Sequence, residues 1–398
     1  MLSDQDIFRL LRDIWVVETG KRRSNGPQFL DLKLESDLSD ATWGIDSIEF
    51  LDIAGIVNEM FQLHKTGIED NLLRYRSLDR WVEIVSTSWK HEQSAITFRT
   101  SGSTGAPKTA THLIESLLQE VDELASAFEG RQRIISMVPS HHIYGFIFTI
   151  LLPKVLNAPV IEGREFGASA FQSQLSSGDL IVSFPFNWVY LERSMGSWPK
   201  GVQGVTSTGP MPSDQHLRLL DSGIEVLTEI YGCSEQGGIG LRRLPDEPFQ
   251  LFSYWKRKNS SEDMLIRSFN DGTEKEIVPE DTLEWYGENT FKPIKRRDGA
   301  VQVAGVNVYP DKIAETISQH EHVKECVVRL ADELPIPRLK AFIIPEGEVA
   351  NEVFNSLKVE LENWMKPMFS ASERPVYLKF GSSLPLNSMG KIIDWSIE

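Results

Sequence analysis

Between residues 94 and 232, short apolar runs alternate with amphipathic helical stretches, and each run ends in Gly, Ser, Thr or Pro. The runs read AITFRT, RIISMVPS, LIVSFP, GVTSTG and VLTEIYG, with stretches such as HLIESLLQEVDELASAF and SDQHLRLLDSG between them. Buried apolar runs that alternate with helices predict a mainly parallel α/β sheet. Because ligands bind at the carboxyl ends of strands in open α/β sheets, the loops after these runs are candidate binding segments.

The segments on either side of this region predict two further units. Residues 1–92 contain the helical stretches DIFRLLRDIWVVE, DSIEFLDIAGIVNEMF and SLDRWVEIVSTSW, which predict a small helical bundle. After residue 296, strand-like runs such as VKECVVRL and LKAFIIP alternate with helical stretches, which predicts a small α+β domain. We therefore expect a mixed α/β protein with a helical bundle over residues 1–92, an α/β core over 93–295 and an α+β domain over 296–398.

Charge and cysteine content exclude several classes of protein. A net charge of −16 argues against nucleic acid, where a basic surface supplies most of the affinity, and against adhesion to anionic membranes. The longest apolar run, IYGFIFTILL, is far shorter than the roughly 20 residues of a membrane helix. Two cysteines, Cys233 and Cys326, cannot build a zinc site or a disulfide framework. We expect a cytoplasmic protein without a secretory signal or a membrane span.

The most distinctive loop follows the run AITFR and reads Thr100-Ser101-Gly102-Ser103-Thr104-Gly105-Ala106-Pro107-Lys108. Glycines let backbone N–H groups approach an anion closely, and the hydroxyls and the lysine add donors, so the loop predicts a phosphate site. It is not a Walker A loop, because Pro107 stands where that motif has a glycine before the lysine. A flexible Ser/Gly turn is the alternative interpretation.

TSGSTGAPK resembles the phosphate loop of the adenylate-forming superfamily, which contains acyl- and aryl-CoA ligases, luciferases and the adenylation domains of peptide synthetases. Further segments resemble that family in its own order. VPSHHIYGF resembles the acid-pocket segment, TSTGPMP a second nucleotide loop, IYGCSE the YGxTE motif, PIKRRDGAVQVAGVNVYPDKIAE the hinge, and LPLNSMGK the terminal segment. The resemblance covers about residues 94 to 398 and implies a shortened core domain followed by a mobile C-terminal domain.

The resemblance implies a site for ATP and Mg²⁺. The residues that would bind the nucleotide are Thr100, Ser101, Gly102, Ser103, Thr104, Gly105, Lys108, Ser207, Thr208, Gly209, Tyr231, Gly232, Ser234, Asp281 and Arg296. Tyr231 would stack on adenine, and Glu235 would hold the Mg²⁺ that bridges the phosphates. Asp281 would bind the ribose, although the chain has Pro-Glu-Asp where the family usually has Thr-Gly-Asp. Arg296 matches the hinge arginine, with Arg297 as its alternative.

Lys391 is the residue that the resemblance assigns to catalysis, together with Glu235. When a carboxylate attacks the α-phosphate, negative charge gathers around the new bond. A positioned lysine stabilises that transition state more than the ground state. A solvated lysine near the end of the sequence is the alternative, and the motif PLNSMGK favours the catalytic role.

The acid-pocket segment implies which acids fit. Adenylation domains for α-amino acids carry an aspartate in this segment, which pairs with the ammonium group. This chain has no acid there, and His142, Tyr144 and Gly145 are its candidate pocket residues. We therefore expect an aryl or fatty acid without an α-amino group.

A second resemblance lies in the first 92 residues. GIDSIEF resembles the attachment site of acyl carrier proteins, whose serine opens the second helix of a four-helix bundle. This implies a phosphopantetheine on Ser47 and a phosphopantetheinyl transferase as a partner. The capping box formed by Asp46 and Glu49 explains a helix start by itself, and that is the alternative.

Together these segments predict a ligase that adenylates a carboxylic acid with ATP and passes the acyl group to a phosphopantetheine thiol. The thiol would be on Ser47, on a separate carrier protein or on coenzyme A, and enzymes of the same biosynthetic cluster are expected partners. A free acyl- or aryl-CoA ligase with a purely structural bundle is one alternative. A non-catalytic carrier and docking module fused to a degenerate ligase is the alternative from another class.

Overall fold

The computed structural model describes residues 2–22, 32–38, 44–100, 108–259, 262–331, 337–347, 354–386 and 392–397. The described residues form two compact units. The larger contains residues 2–100, 108–279 and 284–292, and the smaller contains residues 280–283 and those from 293 onward. The N-terminal helices therefore share a unit with the large sheet, and the division into three domains stays a prediction.

The N-terminal region is helical, as the apolar spacing predicts. Its helices are α1 (Asp4–Arg22), α2 (Ser47–Phe61), α3 (Asn71–Arg74) and α4 (Leu78–His91). Their buried faces meet at Trp15, Phe50 and Trp81, whose ring centroids lie 5.2 to 5.7 Å apart in tilted or edge-on arrangements. Aromatic rings in this geometry add to the hydrophobic stabilisation of the contact. The three tryptophan and phenylalanine rings therefore form the centre of the helical region.

The larger unit continues with strands and short helices. Its strands are β1 (Ala95–Thr100), β2 (Lys108–Leu113), β3 (Arg133–Ser136), β4 (Val160–Glu162), β5 (Asp179–Ser183), β6 (Gln203–Thr206), β7 (Leu227–Cys233), β8 (Gly237–Arg242), β9 (Phe249–Leu251), β10 (Trp255–Asn259), β11 (Glu262–Ser268) and β12 (Glu274–Ile277), followed along the chain by β13 (Asp281–Trp285) and β14 (Thr290–Arg296). The helices are α5 (Ile114–Ala127), α6 (Ile143–Phe146), α7 (Leu152–Leu156), α8 (Ala168–Gln174), α9 (Pro185–Ser194) and α10 (Ser213–Asp221).

The large sheet has the strand order β13-β14-β9-β8-β7-β6-β5-β3-β4. Strands β3 to β7 run parallel to one another, whereas β8 is antiparallel to β7 and β9 is antiparallel to β8. All residues of β5 are buried, as expected for a strand covered on both faces. Trp188 of α9 packs fully buried in the core on one face, in a cluster with Ile181 and Leu227. The mixed α/β class is therefore confirmed.

The first predicted strand does not join this sheet. AITFRT forms β1, which pairs antiparallel with β2 in a separate two-stranded sheet, with Thr100 opposite Lys108. The connection between the two strands is short, and parallel pairing needs a crossover of a dozen residues or more. A hairpin is therefore the pairing that this spacing allows. The predicted phosphate loop is the segment that connects its two strands.

The smaller unit contains β15 (Val301–Val303), β16 (Val306–Val308), α11 (Pro310–Ile317), β17 (Val323–Ala331), β18 (Arg338–Pro345), α12 (Phe354–Met365) and β19 (Tyr377–Phe380). β18 lies at the centre of a three-stranded sheet, antiparallel to β17 and parallel to β19. Ile317, Ile343 and Leu361 are fully buried and pack helices against this sheet. Among the residues that the structure describes, no helix of either unit is long and apolar enough to cross a membrane.

Candidate active site

The carboxyl ends of β5, β6 and β7 lie next to one another in the larger unit. Ser183 is the register partner of Thr206, and Thr206 is that of Glu229. Beyond these strand ends, the Ser207 hydroxyl donates to the backbone oxygen of Ile230 at 2.9 Å. Ser207 of the predicted segment 207–209 is thus bonded to Ile230, the residue directly before the predicted segment 231–235.

The loop after β6 has an unusual backbone. Thr208 has φ of 73°, in the left-handed region that β-branched residues rarely adopt. Such a conformation costs of order 1–3 kcal/mol and persists only where the surrounding structure requires it, which is often at a functional site. Thr208 is exposed, and Ser207 and Gly209 are half-buried. The loop therefore combines a strained backbone with accessible hydroxyl groups.

Strand β7 ends in the segment predicted to bind adenine and Mg²⁺. Tyr231 packs against Phe249 and Phe291, with ring centroids 5.6 and 5.2 Å away. Gly232 is exposed, and a Cβ there would lie 2.3 Å from the backbone oxygen of Gly237, so no side chain fits. This leaves the backbone beside Tyr231 open to a ligand. Ser234 and Glu235 follow in the half-buried turn between β7 and β8.

The acid-pocket segment is tied to the same strand ends. The Tyr144 hydroxyl donates to the backbone oxygens of Ser183 and Val205, at 2.9 and 3.1 Å. Burial raises the pKa of Tyr144 well above its ordinary value, so the hydroxyl keeps its proton. His142 precedes α6, is exposed and lies against His141 with ring centroids 4.2 Å apart. The predicted pocket segment and the predicted nucleotide loops therefore lie at one end of the sheet.

Gly145 lies where the chain folds back on itself. A Cβ at this position would lie 1.9 Å from the backbone oxygen of Pro139 and 2.8 Å from its carbonyl carbon. Both are backbone atoms, which cannot swing away as the end of a flexible side chain does. Only glycine therefore fits this position of the pocket segment.

The N-terminal helix holds the pocket segment in place, a contact that the sequence analysis missed. Asp13 of α1 accepts hydrogen bonds from the N–H and the hydroxyl of Ser140, at 2.6 and 2.7 Å. Arg164 pairs with Asp13 at 2.9 Å and with Glu162 at 2.8 Å. Asp13 is 1% exposed, so its charge is stabilised by these partners rather than by water. Apolar neighbours on both sides of Asp13 in α1 were the available sequence signal.

The predicted ribose and hinge residues lie in the smaller unit. Arg296 pairs with Glu280 at 2.6 Å and with Asp298 at 2.7 Å. The hydrogen bond from Arg296 lowers the pKa of Asp298 to about 2. Asp281 is the first residue of β13, directly after Glu280, and is half-buried. Arg296 thus has two carboxylate partners, Glu280 and Asp298. Glu280 directly precedes Asp281, the residue predicted to bind the ribose.

Several predicted residues lie outside the described part of the chain. These are Ser101, Gly102, Ser103, Thr104, Gly105 and Lys391, together with the side chain of Thr100. Lys108 is exposed at the start of β2. Their proposed contacts with a nucleotide stay predictions.

The residues that follow Lys391 are described and anchored. Leu386 and Ile392 form an antiparallel bridge, and Arg329 of β17 donates to the backbone oxygen of Ile392 at 2.9 Å. Lys340 of β18 is fully buried and donates to Asp394 and to the backbone oxygen of Trp395, both at 2.9 Å. The described segment after Lys391 is therefore fixed to the sheet of the smaller unit, and Leu386 is bridged to that segment.

Comparisons with known proteins complete the description of the site. No family model matches the chain. A 4-coumarate–CoA ligase of Halorhodospira halophila is 37% identical over 394 residues, which covers 98% of this chain and 99% of the relative. A 4-coumarate–CoA ligase of Rhodobacter capsulatus is 35% identical over 88% of this chain and 90% of its own. The fold resembles the o-succinylbenzoate CoA synthetase of Bacillus subtilis, with a TM-score of 0.57, 17% identity and coverage of 75% and 67% of the two chains.

Proposed function

The chain belongs to the adenylate-forming acid–CoA ligases, which are AMP-forming acid–thiol ligases, and we propose that it converts 4-coumarate or a related aryl-propenoic acid into the CoA thioester. The observation that carries this proposal is the end-to-end similarity to a 4-coumarate–CoA ligase. The Ser207–Ile230 hydrogen bond at the carboxyl ends of β6 and β7 supports it. We also propose that the reaction takes place in the cytoplasm, where ATP and coenzyme A are available.

The reaction would proceed in two steps. First, a carboxylate oxygen of the acid attacks the α-phosphate of ATP, and pyrophosphate leaves with the electrons of the broken P–O bond. The thiolate of coenzyme A then attacks the acyl carbon, and AMP leaves. A carboxylate does not react with a thiol by itself, so ATP is needed to create the leaving group. Each step replaces one bond with another, and no oxidant or reductant is required.

The described residues fit these substrates. The open backbone at Gly232 would admit the adenine edge beside Tyr231, and the Ser207 loop would lie next to it. Glu235 would hold Mg²⁺, because a carboxylate is a ligand that Mg²⁺ prefers when phosphates fill the remaining positions. The bound metal would neutralise charge on the phosphates. Lys391 would stabilise the charge that develops during the attack on the α-phosphate.

The pocket segment favours an acid that carries no α-ammonium group. Residues 139–146 carry no carboxylate that could pair with an α-ammonium group. The Tyr144 hydroxyl already donates to two backbone oxygens and keeps its proton, so it would shape the pocket rather than titrate. We therefore propose an aryl acid and exclude α-amino acids as substrates.

A panel of acids tests this proposal. With ATP, Mg²⁺ and coenzyme A, we expect 4-coumarate to give thioester and pyrophosphate in equal amounts. L-Tyrosine has the same phenol ring and a carboxylate but carries an α-ammonium group on a saturated chain, and it should give neither. 3-(4-Hydroxyphenyl)propanoate is the matched control, because it differs from L-tyrosine only in lacking the ammonium group. Preferential use of a long-chain fatty acid would contradict the aryl assignment. If no acid in the panel releases pyrophosphate, the proposed reaction is wrong.

We propose Ser47 as a second acceptor site, as the resemblance to carrier proteins implies. Ser47 is exposed at the first turn of α2, and the neighbouring Ile48 and Leu51 are 69% and 54% exposed. Apolar side chains beside an exposed serine would suit contact with a modifying enzyme or with an attached acyl arm. The Asp46–Glu49 capping box fixes the start of the helix in either case.

Intact-mass measurement tests the role of Ser47. After incubation with coenzyme A and a broad-specificity phosphopantetheinyl transferase, we expect the chain to gain the mass of one phosphopantetheine. Ser47→Ala should stay unmodified under the same conditions. If the wild-type mass is also unchanged, the carrier assignment is wrong and coenzyme A is left as the acceptor.

A further inference from the structure

A carboxylate lies on the apolar face of α5, where the sequence pattern calls for a hydrophobic residue. Glu120 is 2% exposed and lies on the same face as Leu117, Val121 and Leu124, which are all buried. Burying a carboxylate is costly unless it is hydrogen-bonded and paired. Burial raises the pKa of Glu120 to about 7, although a hydrogen bond from Gly238 and the charge of Arg267 both lower it. Such a residue needs an explanation other than core packing.

Glu120 lies directly beneath the turn that follows Tyr231. Its Oε2 accepts the backbone N–H of Gly238 at 2.9 Å. A Cβ on Gly237 would lie 2.6 Å from that oxygen, and a Cβ on Gly238 would lie 2.5 Å from Oε1. Gly237 also has φ of 76°, in the region that favours glycine. The two glycines and the carboxylate therefore fit one another closely.

Arg267 of β11 holds the same turn from a second direction. Its guanidinium donates to the backbone oxygen of Gln236 at 2.8 Å and to that of Ser116 at 2.7 Å. It is 4% exposed and lies over the rings of Tyr254 and Trp255, 4.7 and 5.5 Å from their centroids. Arg267 thus links α5 to the turn and supplies the positive charge near Glu120.

His112 at the end of β2 holds the start of the turn. Its Nε2 lies 2.6 Å from the backbone oxygen of Ser234. Burial lowers the pKa of His112, against the hydrogen bond to Ser234, so the neutral ring donates its Nε2 proton to that oxygen. Three buried polar side chains thus contact the turn at Ser234, at Gln236 and at Gly238. Each of them bonds through its side chain to a backbone atom of the turn. These contacts therefore constrain the backbone path of the turn and do not depend on which side chains the turn carries.

We propose that His112, Glu120 and Arg267 are positioning residues that hold the turn 234–238, and through it Tyr231 and Glu235, in the conformation that binds Mg·ATP. The inference rests on the proposed function of Tyr231 and Glu235. All three contact backbone atoms of the turn, so they act through the backbone. Mg²⁺ and the pyrophosphate portion of ATP take part only in the first step, whereas the adenine that Tyr231 would contact is present in both. Losing this support should therefore weaken adenylation more than thioester formation from saturating acyl-adenylate.

Two pairs of variants test the inference. Glu120→Gln removes the buried charge but keeps an oxygen for Gly238, and Asp122→Asn removes an exposed carboxylate from the same helix as the matched control. His112→Leu removes the donor to Ser234, whereas His112→Gln keeps a side-chain N–H and should rescue. We expect Glu120→Gln and His112→Leu to weaken Mg·ATP binding by about tenfold, since small misplacements of binding groups have effects of this size. Asp122→Asn and His112→Gln should bind like the wild type.

The measurements separate this inference from the proposed function. Mg·ATP binding is measured by calorimetry without any acid, and thioester formation is measured from added coumaroyl-adenylate and coenzyme A. At saturating coumaroyl-adenylate, we expect the second rate to stay within about twofold of the wild type in every variant. Equal losses in both measurements, or unchanged binding in both Glu120→Gln and His112→Leu, would overturn the inference. A wild-type chain that binds no Mg·ATP would instead contradict the proposed function.

Discussion

Replacing Lys391 by alanine should lower the rate of acyl-adenylate formation by about 10³-fold, the size of effect that follows loss of one charge-stabilising donor. Negative charge builds up between the attacking carboxylate and the α-phosphate, and Lys391 is the side chain predicted to stabilise it there. The residues that follow Lys391 are anchored, by Arg329 on Ile392 and by Lys340 on Trp395. We therefore expect the variant to fold normally, with an unchanged free energy of unfolding and a lower rate of acyl-adenylate formation.

The measurement is acid-dependent exchange of labelled pyrophosphate into ATP. Lys366→Ala is the matched control, because Lys366 is an exposed lysine of the same unit whose side chain donates to the nearby Asn363. Thioester formation from added acyl-adenylate should persist in Lys391→Ala. Loss of both half-reactions would mean that Lys391 has a structural role and that the catalytic assignment is wrong.

Gly145→Ala should destabilise the larger unit by about 3 kcal/mol or more, at the upper end of overpacking effects. The added methyl group would lie 1.9 Å from the Pro139 oxygen, so the backbone of one of the two segments has to move. Tyr144 is the adjacent residue, and its two hydrogen bonds to the strand ends would be lost or lengthened with that movement. We therefore also expect the KM for the acid to rise.

Urea unfolding followed by tryptophan fluorescence measures the change in the free energy of unfolding. Gly55→Ala is the control, because Gly55 lies inside α2 with no atom within 4 Å of an added Cβ. That substitution should be neutral or stabilise by about 0.5–1 kcal/mol, the usual gain from replacing glycine in a helix. If Gly145→Ala unfolds at the same urea concentration as the wild type, the close approach of Pro139 is not as described.

The sequence predicted the parallel part of the sheet well, because strands buried on both faces leave long apolar runs between helices. RIISMVPS, LIVSFP, GVTSTG and VLTEIYG correspond to β3, β5, β6 and β7, and their carboxyl ends do carry the predicted loops. AITFRT has a similar composition but pairs in a hairpin. Composition alone does not distinguish these two outcomes, since strand partners depend on the length of the connection.

The supporting groups could not be predicted, because they join residues far apart in the sequence. Asp13 contacts Ser140, 127 residues away, and Glu120 contacts Gly238, 118 residues away. Local periodicity reports which face of a helix is buried, and not what it is buried against. The one available sequence signal was a charged residue on an apolar helix face, as Asp13 is in α1 and Glu120 in α5. It indicates that a partner exists without identifying it.

The Asp13–Ser140 contact has a consequence for recombining this enzyme with its relatives. The proposed substrate pocket would be shaped partly by a helix that precedes every motif by which the chain resembles the ligases. A chimera that exchanges only the first helix would leave Arg164 and Ser140 facing a foreign side chain in a dry interior. Crossover points for altering acid preference should therefore be chosen so that the opening helix, the histidine-bearing segment and Arg164 are inherited from one parent.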